Sequence, residues 1–190
     1  MPELPEPQPG LPSRSLRVPS LRVVVLADTH LRGDGPDPLD RLPAAVLAAV
    51  DGADVVLHAG DVVSPAALGA LQDRASAAGA TFHAVLGNND GALHGVLPET
   101  VMVDLAGVTV GMIHDSGRRD GRAGRMRRRF PTADVVVFGH SHVPCDDVGV
   151  DGQRLFNPGS PTERRGQPER TMGLLDLADG MVRRHRIVPV

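Results

Sequence analysis

Five separated stretches of the chain close an apolar run with side chains able to bind a metal ion. They are "VVVLADTH" with Asp28 and His30, "VVLHAGD" with Asp61, "AVLGNND" with Asn88, Asn89 and Asp90, "GMIHD" with His114, and "VVVFGHSH" with His140 and His142. A single Asp after a strand is ordinarily a cap or turn residue. A single His there is ordinarily bonded to backbone. Independent turns, however, would not share one order of apolar run, glycine or short turn, then Asp, Asn or His. The recurrence predicts one shared site.

The donor types narrow the chemistry. Asp28, His30, Asp61, Asn88, His114, His140 and His142 make seven candidate ligands. Carboxylate, imidazole and amide in that number exceed one tetrahedral zinc and suit two ions sharing a bridging carboxylate. Two ions ~3.5–4 Å apart form a clamp for in-line displacement at phosphorus. Hard carboxylate mixed with imidazole suits Mn, Fe or Zn, and argues against Ca or Mg, which take mostly oxygen. His140 and His142 diverge from one turn, so each can reach a different ion.

The elements that must position these residues follow from pattern. "RVVVLA" (Arg22 to Ala27), "DVVLHA" (Asp54 to Ala59) and "TFHAVL" (Thr81 to Leu86) are short β-rich runs without strict alternation, as expected of strands covered on both faces. Helices are predicted between them. One spans Leu39 to Val50; the other takes Ser64 as N-cap, Pro65 at its first position and Gly79 just past its end. This βαβαβ order implies parallel strands with right-handed crossovers. The carboxyl ends of such strands are where open α/β sheets build sites. Further on, Thr100 to Ile113, Asp147 to Phe156 (turning at Asp151-Gly152) and the C-terminus (turning at Asp179-Gly180) read as antiparallel hairpins. An arginine-rich, helical stretch and a strand from Val135 to Phe138 lie between the first two. The predicted class is α/β, a two-sheet β-sandwich flanked by helices.

Composition excludes several functions. At 190 residues the chain holds one sizeable core. All 20 basic residues are arginine against 23 acidic ones, and the net charge of -3 gives no general attraction to nucleic acid or anionic membrane. With 2% aromatics and neither Trp nor Tyr, base-stacking platforms are nearly absent, so no stable nucleic-acid complex is expected. The single Cys145 excludes an intramolecular disulfide and a Cys-rich zinc site, and suits a reducing cytoplasm. No apolar run spans a bilayer. Residues 1–20, rich in proline, are expected to form a disordered leader ahead of one domain over 21–190.

The order D-x-H, G-D, G-N-x-D, H, G-H-x-H resembles the calcineurin-like metallophosphoesterase superfamily, from Arg22 to about Val188. The compact size, "NPGS" (Asn157 to Ser160) and Asn89 after the motif asparagine are similar to its small YfcE-like branch of bacterial phosphodiesterases. The resemblance implies a four-layer α/β/β/α fold. It implies that Asp28, His30, Asp61 and His142 hold a first divalent ion and that Asn88, His114 and His140 complete a second, with Asp61 bridging. Manganese stands first among the ions, with Fe, Zn, Ni and Co behind it. A metal-bridging hydroxide would then attack a small phosphorylated substrate in line, most readily a phosphodiester, with Asp61 and Asn89 as the catalytic pair. A phosphomonoesterase, including a protein phosphatase, and a non-catalytic metal-binding scaffold are the alternatives. Self-association into a homo-oligomer is compatible with either. The chain departs from the family where Asn89 replaces a common His and where Asp115 replaces a common Gly.

Other residues carry weaker signals. His58 is expected to orient a ligand or to be buried against backbone. Asn157 and Ser160 are expected to support the GHSH loop or approach phosphate. His83, His94 and His185 are expected to be surface or packing residues, and Glu163, Arg164 and Arg165 a solvated loop. The seven arginines from Arg118 to Arg129 form either a solvated helix face or a cationic rim for substrate.

Overall fold

The computed structural model describes residues 20–190; apart from Ser20, the leader expected over residues 1–20 lies outside the described residues. Two five-stranded sheets form the chain's centre. The first contains β1 (Leu21–Leu26), β2 (Val55–His58), β3 (Thr81–Ala84), β9 (Thr171–Ala178) and β10 (Met181–Pro189), in the order β10-β9-β1-β2-β3. Here β1 pairs parallel with β2, and β2 with β3, as the βαβαβ pattern predicts. The second contains β4 (Thr100–Leu105), β5 (Val108–Ile113), β6 (Val135–Val137), β7 (Cys145–Val148) and β8 (Arg154–Asn157), in the order β4-β5-β6-β8-β7.

Hairpins form at the expected turns, β9–β10 at the edge of the first sheet and β4–β5 and β7–β8 at the two margins of the second. Its centre is parallel, β5 to β6 to β8. Turn residues specify which consecutive strands pair; they carry no information about β5, β6 and β8, whose pairing needs crossovers.

Both faces of the first sheet are covered, which explains its unbroken apolar runs. Val23, Val25 and Leu57 point between the sheets to meet Val110, Met112, Val135, Val137 and Phe156. Val24, Leu26 and Val56 point the other way, onto α1 (Ala44–Asp51) and α2 (Pro65–Ala77). On the far face of the second sheet, Met126 and Phe130 of and after α3 (Arg122–Arg129) pack on Val136, Phe138 and Leu155. The layers are therefore α/β/β/α. The second helix follows its sequence signals: Ser64 caps it through the Ala67 amide at 3.4 Å, and Gly79 follows at φ +78°. The first begins at Ala44 rather than Leu39, because Pro43 occupies the cap. Proline bars the α conformation at the residue before it, so Leu42 ends a turn instead of continuing a helix.

Candidate metal centre

The parallel strands of both sheets end on one side of the molecule, and their loops interlock there. Beyond β1 and β2 the pairing continues: the Asp28 amide donates to Gly60 O (3.0 Å) and the His30 amide to Asp61 O (2.9 Å). Beyond β5 and β6, Gly139 N–H donates to His114 O at 2.9 Å. Contact between the two sets of loops depends on glycine. A Cβ on Gly139 would lie 2.9 Å from both Ala27 Cβ and Asp28 Oδ2, and one on Gly60 2.7 Å from His114 Nδ1. The glycines of the "strand, glycine, donor" pattern thus let two sheets bring their ends together.

All seven predicted donors converge on this point. His30 Nε2 faces His142 Nε2 at 3.2 Å, and His142 Nε2 lies 3.5 Å from Asp28 Oδ1. On the other side, Asn88 Oδ1 meets His114 Nε2 at 2.9 Å and His140 Nδ1 at 2.7 Å. Asp61 Oδ2 stands between the two groups, 3.6 Å from His30 Nε2 and 3.4 Å from His114 Nε2. Ligand atoms bound at about 2.1 Å to one ion, at right or tetrahedral angles, sit roughly 3.0–3.4 Å apart. Two sets with a common ion's spacing can be drawn from the described carboxylates and imidazoles: Asp28, His30 and His142, and Asp28, Asp61 and His114. Asp28 belongs to both, although the sequence resemblance gave it to the first alone.

Hydrogen bonding around the donors fits a cation. A backbone carbonyl can only accept, so His114 Nδ1–H donates to Ala59 O at 2.7 Å, leaving the Nε2 lone pair of the neutral ring facing Asn88 and Asp61. His142 Nδ1 likewise faces Glu163 O at 3.3 Å. Asp28 is fully buried, and its Oδ2 has no protein partner. An orphaned carboxylate oxygen in a buried site is costly unless a positive charge meets it.

The ionisation behaviour has the same origin. Burial raises the Asp28 carboxyl to about 7 and lowers His142 to about 4; it also lowers His30. Burial opposes charge on Asp61 and His114 too, yet without an ion the protonated ring donates Nε2–H to Asp61, and that bond, with further bonds from Asn89 to Asp61 and from His114 to Ala59, outweighs it. Asp61 is held well below the usual carboxylate range and His114 is raised.

A supporting layer fixes the loops. Asp90 was legible in the sequence only as the end of G-N-x-D. It is buried, and its carboxylate accepts from three backbone amides: Asp61 (2.9 Å), Val63 (2.6 Å) and Gly87 (2.7 Å). Ser160 Oγ donates to Asp28 O at 2.7 Å, Thr162 Oγ1 to Thr29 O at 2.8 Å, and Asn157 Nδ2 to Gly139 O at 2.9 Å. Asn157 and Ser160 therefore hold the loops. His58 is buried against Thr29 Oγ1 (3.0 Å), a side chain and not backbone.

Two expectations change. Glu163 is not merely a solvated loop residue: its carbonyl meets His142, and its side chain lines a cavity of about 580 Å3 beside His30 and Asn89. In the arginine run, Arg125 donates to the carbonyls of Ser116, Arg118 and Asp120, and Arg127 pairs with Asp151 at 3.1 Å. Those two guanidiniums are committed to the fold. His185 joins Asp146 at 2.5 Å, tying β10 to β7.

Comparison with known proteins agrees with the geometry. The Calcineurin-like phosphoesterase superfamily domain matches residues 21–180, and the chain belongs to that superfamily. A probable metallophosphoesterase of Methanothermobacter thermautotrophicus is 33% identical over 143 residues, 74% of this chain and 77% of the relative. Among solved structures, an archaeal phosphodiesterase superposes with a TM-score of 0.68 at 20% identity, covering 90% of this chain and 100% of that one. YfcE, a phosphoesterase from E. coli, gives 0.56 at 22% identity, covering 87% and 98%. The fold is also that of Vps29 from Entamoeba histolytica, at 0.66 and 21% identity, covering 90% and 99%. Among the described residues, no helix is long and apolar enough to cross a membrane.

Proposed function

We propose that the chain is a two-metal phosphoesterase acting preferentially on phosphodiesters. The observation that carries this reading is Asp61 Oδ2, one carboxylate oxygen facing an imidazole of each donor set, at 3.6 Å and 3.4 Å. In this reading Asp28, His30 and His142 hold one divalent ion, Asn88, His114 and His140 the other, and Asp61 is shared. Manganese stands first, and Fe or Zn would suit the same mixture of imidazole and carboxylate. When bound, such ions neutralise phosphoryl oxygens and acidify water. A complete donor set argues against a purely structural scaffold. The one free Cys145 suits a reducing cytoplasm.

Asn89 supports the choice of ester. Its side-chain amide donates to Asp61 Oδ2 at 2.6 Å, its backbone N–H donates to Asp61 Oδ1 at 2.8 Å, and the residue lines the cavity beside His30. An amide offers a hydrogen bond but neither positive charge nor a titratable proton. A monoester dianion gains more from a cationic or protonating group than a diester monoanion does, so its absence favours the diester. The test compares kcat/KM for bis-p-nitrophenyl phosphate and p-nitrophenyl phosphate, with Mn, Zn, Fe, Co, Ni and Mg, in wild type and Asn89→His. Wild type should favour the diester, and Asn89→His should move the ratio toward the monoester by roughly tenfold or more. A wild type that favours the monoester at every pH, or an unchanged ratio in Asn89→His, would place the monoesterase reading ahead.

A further inference from the structure

The GHSH turn borders a second cavity, of about 350 Å3, lined by Arg119, Arg122, Ser141, Cys145, Asp146 and Asp147 among others. Ser141 stands between His140 and His142, so this cavity begins one residue from either donor set. Its charges are not balanced in the way the composition suggests. Asp146 is already paired with Arg154 and with His185. Asp147 accepts from the Cys145 thiol at 3.3 Å and is exposed, so water screens it. Neither Arg119 nor Arg122 forms an ion pair among the described residues.

Arg122 is also held ready. Its guanidinium stacks on Phe138, 4.8 Å from the ring centre, while Nη2 donates to Gly117 O at 3.3 Å. Its buried Nε–H has no acceptor. A stacked guanidinium with no carboxylate partner, beside the exposed Arg119, matches a phosphoryl group better than a carboxamide or a hydroxyl. The cavity beside His30 and Asn89 differs, because Arg41 pairs there with Glu163 at 4.0 Å.

We infer that the Arg119–Arg122 cavity binds a second, terminal phosphoryl group of the substrate, so that the preferred ester carries a phosphate besides the one cleaved. This inference rests on the phosphodiesterase reading above. No aromatic side chain lines this cavity, so a polyol or other non-aromatic linker suits the space between the two phosphates.

A matched set of p-nitrophenyl phosphodiesters tests it, each with a two-carbon arm ending in phosphate, hydroxyl or trimethylammonium. With metal-loaded enzyme, kcat/KM for the phosphate-ended ester should exceed that for the hydroxyl-ended one by about tenfold, falling with salt, and the trimethylammonium ester should rank last. Arg119→Gln, at an exposed position, should remove most of that advantage through KM and leave the hydroxyl-ended ester within about twofold. Arg122→Gln should do the same, with a melting curve to confirm that it folds. Calorimetry of the loaded enzyme with uncleavable phosphonate versions reads the same preference without turnover. Preferential, Arg119-dependent binding with no turnover of any diester would keep the cavity assignment and overturn the phosphodiesterase reading. Equal binding of the phosphate-ended and hydroxyl-ended phosphonates overturns the cavity assignment. Arg119-dependent binding of inorganic phosphate with no preference among the esters would overturn it too, leaving a site for a free anion.

Discussion

Non-glycine residues with left-handed backbone gather at opposite ends of the strands. At the carboxyl ends of the parallel strands are Asp28, His30, Asp61, Val63, His140 and His142, with φ from 43° to 84°. At the other end are the hairpin residues Ala106, Asp151 and Asp179, with φ of 53° or 54°. Each hairpin residue precedes a glycine that is also left-handed, the combination a tight two-residue turn demands. At the site no such local logic operates. Val63, a β-branched residue at φ 84°, is among the least tolerant types for that conformation, and an Asp90 bond to its amide holds it. The hairpin conformations come from adjacent residues, and the site conformations come from bonds across the fold.

The strongest way to break this contrast is at Asp61. Asp61→Ala removes the shared oxygen, and activity should fall by at least ~10³-fold with loss of at least one metal equivalent. Full activity with two bound ions would end the two-metal reading. Next comes Asp90→Ala, which strands three amides, two of them buried, and should cost about 3 kcal/mol or more in urea unfolding. A cost under ~1 kcal/mol would mean that the loops hold their own shape.

A comparable effect should appear at Asp28, with opposite sign. Its folded-state carboxyl is raised to about 7 from an ordinary 3.8. The charged form is therefore a burden on the ion-free fold above pH 7, one that shrinks as pH falls below 7 and is gone below about pH 3, where the group is protonated folded or unfolded. With chelator present, Asp28→Asn should be more stable than wild type at pH 8, by on the order of 3 kcal/mol, with most of that advantage gone at pH 4.5. A difference that persists undiminished at pH 4.5 would assign the effect to packing. The smallest change belongs to the hairpins. Ala106→Asn, which makes an Asn-Gly turn, should raise stability by ~0.5 kcal/mol, and a loss there would show that this turn too is held from a distance.

The same contrast explains what could be read from the chain. The α2 cap at Ser64 and Pro65, the turns at Asp151-Gly152 and Asp179-Gly180, and the donor after each apolar run are signals spanning a few residues, and they were legible. The role of Asp90 was not, because two of the amides it receives, from Asp61 and Val63, lie 29 and 27 residues back. Nor was the spending of Arg125 on three loop carbonyls, since an arginine run looks alike whether its donors face water or backbone. Glu163 was missed because its working atom at His142 is the main-chain oxygen, which every residue possesses.

The interlocked glycine loops also set an order of events in time. The donors run from residue 28 to residue 142 and belong to two sheets, so they have no common location until the apolar layer between the sheets has closed. In the two-metal reading, a chain leaving the ribosome is therefore blind to the ions its site suits, and capture follows docking. Once captured, ions held by both sheets must be released before the sheets can part, so loading should lengthen the lifetime of the folded state as well as deepen its free energy.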